Sequence, residues 1–330
     1  YHLYASVIGT IDGETHPMLT EILNGYKDGI FDNNCITNYL RYYHYHTLRN
    51  ILDIFDLMND AMVSGKDICY PYVLDHLQYH VDNTDGDLYK RYQNILLAFN
   101  CEDSYPNLSS RIVDAMCDIL SSGEAHDFAK GVHRKAVDYL CKALSVSHPF
   151  ERLYFDMLPK YQDDILEDLC EVLSSEDKNT IFFYNMYNSL GSGFNTGAGP
   201  LFQCNNEVLK AVCYKHPSVL PKRFAQMCPV YKNTDNGKEK SFSEFFLWLC
   251  DNFGDQKEML HAFSSNMGTF SWSGINGFSN YIAERIPCIT SFLSHPNPTV
   301  KEWAKMELES VRNEVVREQG KEAYERMIRG

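Results

Sequence analysis

Apolar residues recur every three to four positions along most of the chain, and strict alternation is rare. In NYLRYYHYHTLRNILDIFDLMNDAMV the positions Leu40, Tyr43, Leu48, Ile51, Leu52, Phe55, Leu57 and Met58 fall mostly at helical steps and line one face of an amphipathic helix. The same period predicts helices over 72–81, 87–99, 108–120, 125–144 and 159–173. The expected fold class is therefore all-α.

Two kinds of break separate these helices. Ser-Gly and Asp-Gly pairs (Ser64-Gly65, Asp85-Gly86, Ser122-Gly123) read as helix C-caps and turns. Other breaks are His-Pro, in SVSHPFERLYFDML, CYKHPSVLPKRFAQM and FLSHPNPTVKEWAKMEL, each of which ends one apolar helix and begins another. Proline disfavours helical geometry in the residue before it yet suits the first helical turn. Asn297 is thus expected to cap a helix begun by Pro298.

The three prolines, Pro149, Pro217 and Pro296, stand 68 and 79 residues apart. That is close to twice the ~40-residue unit of two-helix repeats. Intermediate turns are expected at Gly254-Asp255 and within SSEDKNT. An antiparallel helix pair joined by such a corner still has apolar surface to cover, and a neighbouring pair covers it. The architecture expected is an α-solenoid of HEAT/armadillo-like pairs, one array over 1–330, looser over 1–105 and more regular over 106–330. The charged ending VRNEVVREQGKEAYERMIRG, with Glu322–Arg326 and Glu325–Arg329 as i, i+4 pairs, reads as a solvated polar cap.

Composition narrows the partners. The formal net charge is −14, with acids clustered in YQDDILEDLCEVLSSEDK, so nucleic acid is not expected as a direct ligand and a protein with a basic surface is. No apolar run reaches the ~18–20 residues of a membrane span, so no membrane contact is expected. Eleven cysteines stand as singletons without a C-x-x-C pair. Several fall on apolar helical faces, as free thiols acting as small hydrophobes do, and a cytoplasmic location is expected. The first residue, Tyr1, reads as a processed end or the edge of a longer protein.

Chemistry is sparse. Gly191, Gly193, Gly197 and Gly199 crowd one loop, but no P-loop lysine follows. Asp82, Asp85 and Asp87 are out of register for an EF-hand. His76 and His80 lie one helical turn apart without the glutamate of HExxH. In EAHDFAKG, His126-Asp127 followed by Lys130 resembles the HDxxK element of HD-type metal phosphohydrolases. That resemblance implies a metal held by His80 or His76, His126, Asp127 and a later aspartate, Asp138, Asp163 or Asp164. The same residues also make an ordinary first helical turn, with an acid at its positive end. The cluster RYYHYHTL places Tyr42, Tyr43 and Tyr45 where exposed aromatics would anchor a partner.

The stretch FSWSGINGFSNYIAERIPCITSFLSHPNPTVKEWAKMELESVRNEVVRE is similar to the C-terminal HEAT-like ending of large bacterial multidomain proteins, including anti-phage defence ATPases and effectors. The likeness rests on the Ser-Trp-Ser-Gly loop, the HPNPTVKEWA corner and the charged last helix. It implies helical repeats that recognise a partner, with Trp272 in a contact loop. The expectation is a non-catalytic recognition scaffold or sensor with no cofactor, bound through Tyr42, Tyr43, Tyr45 and Trp272. A metal phosphohydrolase centred on His126 and Asp127, and a spacer between domains of a longer protein, are the rival readings.

Overall fold

Where the structure describes the chain, helical periodicity in the sequence is matched by helix; the helices expected over 40–58 and 72–81 lie outside the described residues. A computed structural model describes residues 21, 24–32, 35, 86–98, 106–142, 149–191, 199–233, 240–267 and 277–329. Among the described residues lie twelve α-helices: α1 (Gly86–Ala98), α2 (Pro106–Leu120), α3 (His126–Lys142), α4 (Pro149–Ser174), α5 (Thr180–Leu190), α6 (Asn206–Lys215), α7 (Leu220–Met227), α8 (Glu244–Phe253), α9 (Lys257–Met267), α10 (Phe278–Ala283), α11 (Ile286–Ser291) and α12 (Pro298–Arg329). A short antiparallel ribbon, β1 (Tyr231–Asn233) and β2 (Lys240–Phe242), pairs Tyr231 with Phe242. The protein is all-α, as its period predicts.

By contact the chain divides into two compact units, 1–139 and 140–330. In the first, α1 packs on α2, and the apolar stripe Ile112, Val113, Met116, Ile119 and Leu120 is buried. Gly123 closes α2 in the left-handed region at φ +77°, the C-cap its Ser-Gly pair signals. Gly131 of α3 lies so near Leu97 that a Cβ there would meet Leu97 Cδ1 at 2.7 Å, and Lys135 Nζ donates to Leu97 O at 2.8 Å.

In the second unit α4 runs through Pro159 and kinks at Tyr161 (φ −122°, ψ 23°), because proline removes a helical hydrogen bond and crowds the preceding turn. Helix α4 packs on α5, α6 and α7; α7 packs on α8 and α9; α9 packs on α12, which also covers α10 and α11. Starts are set by caps: Asn179 Oδ1 accepts from Phe182 N (2.8 Å), Asn205 Oδ1 from Glu207 N (2.9 Å) and Asn297 Oδ1 from Thr299 N (2.9 Å). The last is the cap expected ahead of Pro298. The turns expected at SSEDKNT and Gly254-Asp255 fall between α4 and α5 and between α8 and α9.

At the centre of this unit Phe246 is fully buried, with its ring centroid 4.4 Å from Phe263, 4.5 Å from Phe242 and 5.7 Å from Phe292. Burying one such ring contributes about 1.5–3 kcal/mol, against about 1 kcal/mol for a typical hydrogen bond. The aromatic cluster therefore holds the unit together, and the polar contacts fix its register.

Many of those polar contacts bridge 38 to 44 positions, while others do not: Arg223–Tyr187 spans 36, Cys288–Lys240 spans 48 and Arg285–Met267 spans 18. Tyr214–Asn252 and Asn266–Cys228 span 38 positions, Gln256–Pro217 and Trp303–Ser264 span 39, Asn205–Gln162 and Ser264–Glu307 span 43, and Lys215–Glu171 and His295–Asp251 span 44. Both described His-Pro corners set their histidine against an earlier carboxylate. His216 Nε2 lies 3.1 Å from Glu171 Oε2, 45 positions back, and His295 Nε2 lies 3.1 Å from Asp251 Oδ1, 44 positions back, each carboxylate standing near the end of an earlier helix.

The last helix is solvated and largely polar on its exposed positions, as expected, but Val316, Tyr324, Met327 and Ile328 are exposed along it as well. One expectation needs correction. The Glu322 carboxylate, drawn as a partner of Arg326, accepts instead from Ser279 N and Ser279 Oγ at 2.9 Å each. There it meets the N-terminal end of α10, whose free amide groups favour a negative charge, while Arg326 Nε donates to the Glu322 backbone oxygen.

Candidate interaction surface

In α6 the buried positions are Leu209, Val212 and Cys213, which leaves Tyr214 off the apolar stripe. In α8 they are Phe245, Phe246, Leu249, Cys250 and Phe253, which leaves Leu247 and Trp248 off it. The consequence is an aromatic ridge: Tyr214 is 58% exposed, Trp248 is half-buried, and their rings meet edge-on at 5.6 Å. The ridge is continuous with the core, since Trp248 stacks on Phe245 (5.6 Å), Phe245 lies 5.4 Å from Phe202, and Phe202 meets buried Phe224.

Tyr214 is exposed but held in place. Its hydroxyl donates to Asn252 Oδ1 at 2.7 Å, and Asn252 Nδ2 donates to Trp248 O at 2.9 Å. A ring fixed in this way loses little rotamer freedom when something docks on it. Lys210 Nζ stands 5.9 Å from the Trp248 ring centroid and 2.6 Å from Glu207 Oε1.

Carboxylates stand near the ridge. Glu207, Glu244, Asp251 and Asp255 are exposed on or beside the two helices, the first three set against Lys210, Lys232 and His295, and the last turn of α8 holds no base against its negative dipole end. Beside Tyr214, Lys215 hydrogen-bonds the Glu171 carboxyl and, with His216 Nε2 3.1 Å away, holds it below the usual carboxylate range. It is therefore charged at neutral pH.

The thiols carry no comparable polarity. Nine cysteines among the described residues are free, and seven of them are buried. Burial pushes Cys204 up to about 11 and, with Cys204 nearby, Cys170 up to about 12. At neutral pH these two are protonated and pack as small hydrophobes.

Of the residues singled out from sequence, Tyr42, Tyr43, Tyr45, Trp272, His76 and His80 lie outside the described residues. His126 and Asp127 stand exposed on the first turn of α3. Asp138, on the same helix, is about 16 Å farther along its axis at 1.5 Å per residue, too far to share one ion with them. No three His, Cys, Asp or Glu side chains among the described residues are grouped to hold a metal, and no helix among them is long and apolar enough to cross a membrane.

No protein-family model, curated protein or solved structure matches the chain.

Proposed function

We propose that the chain is a non-catalytic helical-repeat scaffold, HEAT-like in its stacking, that recognises a protein partner with a basic surface through the ridge on α6 and α8. The stacking rests on the polar contacts spaced 38–44 positions apart, because a tie to the neighbouring unit of a ~40-residue repeat has that span. The likeness of the stretch around Trp272 to the endings of bacterial defence proteins makes a sensor arm its role.

One observation carries the binding reading: an exposed tyrosine held rigid by Asn252 and Trp248 beside exposed carboxylates. Tyr and Trp dominate interface hot spots, and the nearby carboxylates favour a cationic partner and speed its approach. The test is selection of a displayed random-peptide library on the immobilised chain. Lys- and Arg-rich peptides should be enriched, and both Tyr214→Ala and Trp248→Ala should weaken the selected peptides about tenfold, a loss of ~1.4 kcal/mol. Enrichment of neutral or acidic sequences, or basic peptides that bind both variants as well as the parent, would refute the assignment.

A further inference from the structure

Helix α12 has two faces. Val300, Ala304, Leu308, Val311 and Val315 are buried against the core. On roughly the opposite side, Met306, Asn313, Val316, Gly320, Ala323 and Met327 are all exposed, with Met327 at 82%. With Glu309 between the first two, their spacing is three, four, three, four, three, four, which is the a/d seam of a coiled coil over three heptads.

Flanking that seam are bases. Lys305, Arg312 and Arg326 run along one edge, and Arg317 stands on the other between Ser310 and Tyr324. Lys305 lies 3.3 Å from Glu302, and Arg317 lies 3.4 Å from Glu314 and 3.2 Å from Glu318. On an exposed helix such pairs contribute about 0–1 kcal/mol, so they yield to a better-placed partner. In a chain of net charge −14 this strip is a local reversal of sign.

We infer that the solvent face of α12 docks an amphipathic helix with acidic flanks, supplied by a partner chain. A second copy is disfavoured, because either orientation would set these basic flanks against each other. A lipid surface is disfavoured because Glu309 and Asn313 lie inside the seam, where hydrocarbon would strip their water. A helical seam accommodates such groups, and an Asn there fixes register. Gly320 fits the same reading: a Cβ added to it would meet nothing within 4 Å, which leaves an opening for a close-packed helix.

The experiment titrates the full chain into two labelled synthetic helices of three heptads, with the same apolar seam and either Glu or Lys along both flanks, and reads fluorescence anisotropy. The Glu-flanked helix is expected to bind at least about tenfold more tightly than the Lys-flanked one, against the sign of the net charge. Val316→Glu combined with Met327→Glu should abolish binding with an unchanged thermal melt, and Arg312→Glu with Arg317→Glu should reverse the preference. Tyr214→Ala and Trp248→Ala should leave it unaltered, so failure here and failure of the ridge are separable. Equal affinity for both helices, or no loss in the seam variant, overturns the inference. Co-sedimentation with phosphatidylserine vesicles, or a dimer in sedimentation velocity, lost in that variant while neither helix binds, overturns it in favour of lipid or self-association.

Discussion

His295 is 7% exposed at its side chain, and both ring nitrogens are engaged. Nδ1 accepts from Asn297 N at 3.1 Å, which places the proton on Nε2, where it faces Asp251 Oδ1 at 3.1 Å. One imidazole thereby fixes the corner backbone and ties it to a helix 44 positions earlier. His216 Nε2 also stands 3.1 Å from a carboxylate, Glu171, but without hydrogen-bond geometry; its side chain is 26% exposed, and there Lys215 holds the carboxylate. Removing a buried partner leaves its neighbours unsatisfied, whereas an exposed ion pair contributes little. His295→Ala is therefore expected to cost about 2 kcal/mol and His216→Ala below about 1 kcal/mol, read from urea unfolding followed by circular dichroism. Equal costs would mean that the corners hold by proline geometry alone.

Glycines at two helix positions separate packing from propensity. Gly254 caps α8 with an ordinary φ of −67°, yet a Cβ there would run into the α8 carbonyl of Cys250, four positions back, and into Val300 Cγ2, where the end of α8 abuts the first turn of α12. Gly320 lies mid-helix with open space around it. Gly254→Ala should cost about 1–3 kcal/mol by overpacking, while Gly320→Ala should gain about 0.5–1 kcal/mol from helix propensity. Chemical denaturation of the two variants would show whether close approach, rather than backbone freedom, explains Gly254. Helix positions such as 108–120 and the Asn297 cap were legible in the sequence because period and capping are local. The β-ribbon was hidden because its strands are three residues long, too short to show alternation, although the Asn236-Gly237 pair between them is a hairpin signal. One helix was expected before the last corner. Pro287 sits in the opening turn of α11, and the segment is split into α10 and α11. The ridge was readable in principle, since Tyr214 and Trp248 fall off their helices' apolar stripes, but their mutual contact depends on residues 34 positions apart and carries no local signal.

At the scale of the second unit, the question is whether its helices form one cooperative core or a row of neighbours. The direct packing partners of α4 are α5, α6 and α7, and those of α12 are α9, α10 and α11, with α7 and α9 the link between the two sets. In a nearest-neighbour array a local loss spreads to the adjoining pair and fades beyond it, whereas a single core loses protection everywhere. Phe292 is buried with its ring 4.7 Å from Phe242 and 6.2 Å from Trp303, and Leu169 is fully buried in α4. Phe292→Ala should cost about 3–5 kcal/mol and Leu169→Ala about 2–5 kcal/mol, enough for sub-global opening to dominate amide exchange. Hydrogen-exchange mass spectrometry on the row-of-neighbours reading should show α8, α11 and α12 deprotected by Phe292→Ala with α4 and α5 unchanged, and the reverse for Leu169→Ala. The link helices α7 and α9 should respond in part to both, since each touches one of the two sets. Uniform deprotection from either change would make the unit a single cooperative core, and the recurring 38–44 spacing would then record how the chain is connected rather than how its stability is shared.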